Sequence, residues 1–272
     1  MSTLLGARGR GDRLWMARYL LSRRVAWFPA PRERSLHLRG LPAPFAFDPA
    51  LGGLSSYYEV ARAKIYGRFP GFIPEPTSCV VDVGANLGMF SVWASRYLAP
   101  TGRIIALEPH PGAYRLLRRN LSRVGCAAES LNVACGATEQ TLPLYFSPDR
   151  LTMATLEASA AQTLERIDVP VRRLDDVLAD VSVARIGLLK IDVEGWEPQV
   201  LDGAEACLHR TDRVVLEVER DKLPSVEDRL AAAGLTITGV IDGIWDHQEM
   251  PILYARRGSS GNPSAQPKGE AR

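Results

Sequence analysis

The chain has 272 residues, 46% of them hydrophobic and 24% charged, with a formal net charge of +2. That length suits one α/β domain with a small appendage. The charge is too small to make nucleic acid or a membrane surface a whole-protein partner.

Other exclusions follow from the pattern. Cys79, Cys126, Cys135 and Cys207 are scattered without metal-type spacing, so buried free thiols in a reducing compartment are expected. No apolar run approaches the roughly 20 residues that span a bilayer. Arginines interrupt each N-terminal apolar stretch, so no signal peptide is expected and the chain reads as cytoplasmic.

Residues 1–50 read as a basic, proline-containing arm, with nine arginines against three acids. Leu14, Arg18, Leu21 and Val25 fall on one face of a short predicted helix, and Pro29 to Pro49 predict an extended arm. Residues 51–256 are expected to form the main domain, and 257–272 a disordered tail. Residues 54–69 predict a helix capped by Ser55 or Ser56. Lying just before the first strand, it is placed to cross a ligand site, with Tyr57, Tyr58 and Arg62 as candidate lining residues. A helix with a purely packing aromatic face fits the same pattern.

Cys79-Val80-Val81-Asp82-Val83 predicts a buried strand ending near an acid, and Gly84 and Gly88 follow before a helical pattern from Met89 to Leu98. Strand, glycine turn and helix hold nucleotide-like ligands at the carboxyl edge of a parallel sheet. A dinucleotide loop would read G-x-G-x-x-G with a pyrophosphate on the helix N-terminus. Here Asn86 replaces the second glycine, and Asp82 precedes the turn. A carboxylate there suits a ligand with a cationic amino-acid end and disfavours a dehydrogenase.

The second strand, Arg103 to Glu108, ends in an acid suited to ribose hydroxyls. A helix over 113–121 and a third strand over 128–133 follow. Thr141 to Phe146 predicts a strand, 147–165 a polar loop or connection, 167–173 an extended piece and 174–178 a short helix. A fourth strand, Ile186 to Asp192, is expected beside the first. Asp192 and Glu194 would then face the same crevice as Asp82, and a helix runs over 199–208. A fifth strand at 212–219 and a helix at 224–233 precede two last strands, 235–241 and 250–255. The 242–249 turn between them carries His247.

Asp82-Val-Gly84-Ala-Asn86-Leu-Gly88, Glu108-Pro109-x-Pro111 and Lys190-Ile-Asp192-Val-Glu194-Gly195, in that order, resemble the FkbM family of class I S-adenosylmethionine (SAM) methyltransferases. The similarity runs from about residue 75 to 220. It implies a doubly wound, Rossmann-like α/β fold, with a seven-stranded, mostly parallel sheet holding one antiparallel strand. It also implies methyl transfer to an oxygen, often a hydroxyl of a sugar or natural-product scaffold. Carried over by position, Asp82, Gly84, Asn86 and Gly88 surround the methionine end of SAM, Glu108 binds its ribose, and Asp192 and Glu194 border the transfer site. His110 between the prolines, and Glu219 where histidine is common, depart from the family pattern.

An alcohol acceptor gains from a general base, for which Asp192, Glu194 and His247 are candidates in that order. An unperturbed carboxylate is a weak base for an alcohol, so the role requires a raised pKa or a metal. Asp192 and Glu194 offer oxygen ligands of the kind magnesium takes, but two acids do not make a site. The absence of an N-P-P-Y-like motif at the fourth strand argues against a nucleic-acid base as acceptor. The alternatives are a methyltransferase with another acceptor class and a non-catalytic, methyltransferase-like interaction protein.

Overall fold

The computed structural model describes residues 6–22, 33–48, 51, 54–63, 65–147, 150–157, 164–242 and 250–258. Its main sheet has seven strands, labelled in chain order β1 (Cys79–Val83), β2 (Arg103–Leu107), β3 (Ala127–Leu131), β4 (Leu188–Ile191), β5 (Arg213–Glu217), β6 (Leu235–Ile241) and β7 (Ile252–Arg257). Their spatial order is β6-β7-β5-β4-β1-β2-β3. Strands β1 to β5 pair in parallel, and β7 runs antiparallel to both β5 and β6. The expected doubly wound sheet with one antiparallel strand is therefore present.

Apolar runs build this sheet because both of its faces are covered. Successive residues alternate between two apolar clusters. Val80, Ile104, Leu188 and Val215 belong to one cluster, and Val81, Ile105, Leu189 and Val214 to the other. The chain winds outward from β1 through β2 to β3, then returns to β4 beside β1. The strand order reverses at β1 and β4, and the connections after them part there, which opens a crevice at their carboxyl ends.

The N-terminal region departs from the predicted helical face. Helix Arg10–Ser22 buries Asp12, Trp15, Met16 and Tyr19, while Leu14 and Leu21 are exposed; Val25 lies outside the described residues. The buried face holds aromatic rings, and Trp15 stacks on Tyr19 at 5.8 Å. Residues predicted as an extended arm form an antiparallel hairpin, Arg34–Leu36 with Phe45–Phe47. Leu36, Phe45 and Phe47 are buried in the same apolar cluster as Val80. Asn120, itself buried, pins this hairpin. It accepts the N–H of Ala46 at 2.6 Å and donates to the carbonyls of Ala46 and Leu87 at 3.2 and 2.8 Å. One side chain thus ties the N-terminal hairpin to the turn after β1.

Two other stretches differ from expectation. The polar connection after residue 147 contains a strand, Arg150–Thr155, which joins a four-stranded sheet with Ala134–Cys135, Gln140–Ser147 and Glu165–Arg172. The predicted helix over 199–208 breaks at Gly203 into Glu197–Asp202 and Glu205–His209. Among the described residues, no helix is long and apolar enough to cross a membrane.

Candidate active site

The turn after β1 is tied to β2 by its backbone. The N–H groups of Gly84 and Ala85 both donate to the Leu107 carbonyl, at 3.1 and 2.9 Å. Gly84 has φ +74°, and a Cβ there would lie 1.9 Å from the Asp192 carbonyl oxygen. Only glycine lets β1 and β4 close this tightly. Asn86 takes φ +50°, which asparagine tolerates better than most residues. Its N–H donates to Glu108 Oε2 at 2.8 Å, and its Oδ1 accepts the Leu87 N–H at 2.7 Å. Gly88 packs on the next helix rather than on the crevice: a Cβ there would meet Leu117 Cδ1 at 2.7 Å.

Glu108 follows β2, as the sequence pattern places it. Its carboxylate accepts the N–H of Asn86 and that of His110, the latter at 2.8 Å. Burial pushes its pKa up to about 7 against the pull of those bonds. His110 caps helix Pro111–Leu121, with Nδ1 accepting the N–H groups of Gly112 and Ala113 at 3.2 and 3.3 Å. Burial lowers its pKa, so the neutral imidazole serves as a structural cap.

Asp82 is fully buried beneath the turn. Its Oδ2 accepts the Ser91 hydroxyl at 2.6 Å, and its Oδ1 faces the Lys190 ammonium at 3.2 Å. Lys190 also donates to the Gly84 carbonyl at 2.8 Å and pairs with Asp192 Oδ2 at 3.4 Å. Burial disfavours the lysine's charge, but Asp82 and Asp192 outweigh it and raise its pKa. A period of two puts Lys190 and Asp192 on one face of β4, and the register sets Lys190 beside Asp82. That period is the sequence signal by which Lys190 was identifiable as part of the site.

Asp192 lines the crevice with Gly84, Asn86, Lys190, Glu59 and Tyr66. The Tyr66 hydroxyl donates to Asp192 Oδ2 at 3.3 Å. Burial first, then Asp192, Glu217 and Glu59, push the phenol pKa well up. Tyr66 and Glu59 come from the predicted 54–69 helix, which is a short α-turn at Leu54–Tyr57, a π-helical turn at Tyr58–Ala63 and a 3-10 turn at Ile65–Gly67. The wider turn changes which side chains face inward. Tyr57 is buried away from the crevice and donates to the Arg39 carbonyl at 2.9 Å. Tyr58 is absent from the lining, and the Arg62 side chain lies outside the described residues.

Glu194 occupies a turn with φ +52° ahead of Gly195. A non-glycine residue in that region carries strain, and the surroundings hold it there. Thr155 donates to the Glu194 carbonyl at 2.8 Å, the Gly195 N–H donates to Glu197 Oε1 at 3.0 Å, and Lys222 donates to the Gly195 carbonyl at 2.6 Å. Burial, then Asp192 and Glu217, push the Glu194 pKa well above the usual carboxylate value. Glu217 at the end of β5 is shifted the same way by burial, Asp192 and Glu59. Lys190, Glu59, Tyr66 and Glu217 were not among the predicted site residues. His247 lies outside the described residues. Among these, no group of His, Cys, Asp or Glu side chains is arranged to hold a metal.

Glu197 is fully buried, its Oε2 has no hydrogen-bond partner among the described residues, and burial raises its pKa from 4.5 to about 7. Its protonated form therefore contributes stability that is full below about 4.5 and is lost as pH rises through about 7. Glu197→Gln removes that loss while keeping an acceptor for Gly195. In denaturant titrations the variant is expected to match the parent near pH ~4 and to exceed it by up to about 3 kcal/mol near pH ~8. Equal stability at both pH values would show that Glu197 does not titrate this way.

This donor set suits a cation. Carboxylates of Asp192 and Glu59 line the crevice beside the glycine turn, where a pyrophosphate would meet like charge. Glu108 stands at the neighbouring strand end. Comparison with known proteins agrees with the geometry. The Methyltransferase FkbM domain family matches residues 82–254. The 31-O-demethyl-FK506 methyltransferase FkbM of Streptomyces tacrolimicus is 32% identical over 232 residues, covering 74% of this chain and 88% of that protein. The methyltransferase sdnD of Sordaria araneosa is 32% identical over 211 residues, covering 65% and 81%. AMB antimetabolite synthetase AmbE of Pseudomonas aeruginosa is 31% identical over 245 residues, 74% of this chain but only 11% of that protein. With the glycine turn and the acid-lined crevice at the reversal of strand order, these matches establish that the chain belongs to the FkbM methyltransferase family, with SAM as its methyl donor.

Proposed function

We propose that the protein is an O-methyltransferase acting on a hydroxyl of a small molecule, a sugar or natural-product scaffold, with residues 51–256 as the catalytic unit. The relative named for a 31-O-demethyl substrate supports an oxygen acceptor. When bound, SAM supplies a methyl group on a good leaving group, so no covalent enzyme intermediate is required. The protein's task is to hold donor and acceptor in line and to take the hydroxyl proton. Gly84 and Asn86 border the methionine end, Asp82 and Gly88 hold the turn that carries them, and Glu108 takes the ribose. Asp192, held by Lys190 and Tyr66, orients the reacting groups.

Glu194 takes the proton. The observation that carries this assignment is its partly buried side chain on a strained, hydrogen-bonded turn two residues from Asp192, with a raised pKa that makes it a stronger base than a free carboxylate. The test is formation of S-adenosylhomocysteine with a panel of hydroxylated sugars and macrocycles. Glu194→Gln is expected to lower turnover roughly 10²–10⁴-fold, with a far smaller change in SAM affinity. Full turnover in that variant would move the role to Asp192.

A further inference from the structure

The small net charge conceals a segregation of signs. Residues 1–50 carry nine arginines against three acids, a formal +6, so with +2 overall the rest of the chain carries −4. Those three acids are engaged within the fold. Asp12 is buried, accepts the His37 N–H at 2.9 Å and faces Arg34 at 3.3 Å. Glu33 pairs with Arg115 and Arg119, and Asp48 with Arg115, on helix Pro111–Leu121. Arg10, Arg13 and Arg18 of helix Arg10–Ser22 are exposed and pair with no acid among the described residues. Leu14, Ala17 and Leu21 form an exposed ridge along the same face, and the helical repeat sets Arg13 and Arg18 on its opposite flanks. Leu14, 65% exposed, and Leu21, 41% exposed, are two of the three large hydrophobic side chains left in solvent among the described residues. The other face holds the helix down: Trp15, Met16 and Tyr19 are buried in the cluster that contains Phe47 and Val80.

We propose that this exposed helix face is a docking surface for an anionic lipid bilayer, with the leucine ridge entering the acyl boundary while the arginines meet lipid phosphates. Charge complementarity selects an anionic surface, and the ridge selects a bilayer among anionic surfaces. A nucleic acid is held through its phosphates by arginine and gains nothing from exposed leucines. An acyl boundary takes both, because burying Leu14 and Leu21 there removes apolar area from water. The attachment is peripheral: a helix of 13 residues lies along the surface with its aromatic face toward the protein. It is also rigid. Trp15 meets Phe47 at 6.4 Å, Phe47 meets Phe45 at 4.9 Å, and Phe45 lines the crevice. Docking therefore fixes the crevice at a set distance from the bilayer, where a flexible tether would leave it loose.

The test is co-sedimentation of the full chain with vesicles of phosphatidylcholine alone and of phosphatidylcholine mixed with an equal part of phosphatidylglycerol. Binding is expected with the anionic vesicles only, and to fall steeply between about 0.1 and about 0.5 M salt. The double variant Arg10→Gln, Arg18→Gln is expected to weaken it on the order of 30-fold. Arg13 is left in place because its Nε donates to the Ala7 carbonyl at 3.3 Å. The double variant Leu14→Gln, Leu21→Gln keeps every charge and is expected to weaken binding by about tenfold or more. All four positions lie on the solvent face and outside the crevice, so SAM affinity and thermal melts should match the parent, which separates lost docking from misfolding. No binding to anionic vesicles, equal binding to both compositions, or parent-like binding by the leucine variant would overturn the proposal. So would binding of duplex DNA in place of vesicles, or a dimer in vesicle-free buffer that the leucine variant dissociates, since the surface would then belong to a nucleic acid or to a second copy.

Discussion

Lys190→Met is expected to destabilise the protein by about 3–5 kcal/mol, because it strands the Asp82 carboxylate in the core. Asp82 has no exposed surface and Lys190 only 3%. With the ammonium gone, Asp82 keeps the Ser91 hydroxyl as its remaining strong partner. Asp192 is less affected, since its side chain is 26% exposed and water replaces the lysine. Asp82→Ala is expected to cost a similar amount for the converse reason and to abolish SAM binding as well. The double variant should lose clearly less than the sum of the two, since neither partner is then left charged and alone. Chemical denaturation of all four proteins measures that coupling. Additive losses would show that the ion pair is not what holds β1 to β4.

Gly84→Ala is expected to eliminate SAM binding and to lower stability by several kcal/mol (on the order of 3). The added methyl carbon would lie 1.9 Å from the Asp192 carbonyl oxygen and 2.9 Å from its carbon. Those are backbone atoms of the adjacent strand end, so no side-chain rotation relieves the contact. The φ of +74° adds a cost of its own for alanine. To accommodate the methyl, the turn must leave β4, and that separates the two edges that form the crevice. Gly71→Ala is the matched control, since nothing lies within 4 Å of its Cβ position; its effect should stay within about 0.5 kcal/mol. Calorimetric titration with SAM and thermal melts of both variants decide the matter. Parent-like binding by Gly84→Ala would mean that the strand ends part without loss of the site.

The sheet was legible in the sequence because parallel strands buried on both faces leave unmistakable apolar runs, and because each run at the crevice stops near an acid or a glycine. Cys79 to Val83 and Leu188 to Ile191 are such runs, and the neighbouring placement expected for them is the observed one. The small sheet was less legible. Gln140–Ser147 and Glu165–Arg172 answer to the strand and the extended piece expected there, but Arg150–Thr155 between them was read as loop or connection, because 147–165 is weakly patterned and rich in alanine, threonine and serine. The hairpin at Arg34–Leu36 and Phe45–Phe47 was hidden by its brevity and by the prolines around it.

The sequence by itself determined the strand order around the crevice, the glycine turn, and which acids stand at the strand ends. These depend on local patterns: period two, apolar runs, and glycine where a side chain cannot fit. The tertiary structure alone decided how those acids are used. It buried Asp82 under the turn with Lys190, made His110 a helix cap, and brought Glu59 and Tyr66 to the crevice of Asp192 through a π-helical turn and a 3-10 turn. It also set Glu217 beside Asp192, from a strand 25 positions along the chain. Charge, burial and proton affinity are properties of neighbours in space, and those neighbours meet only when the strands pair.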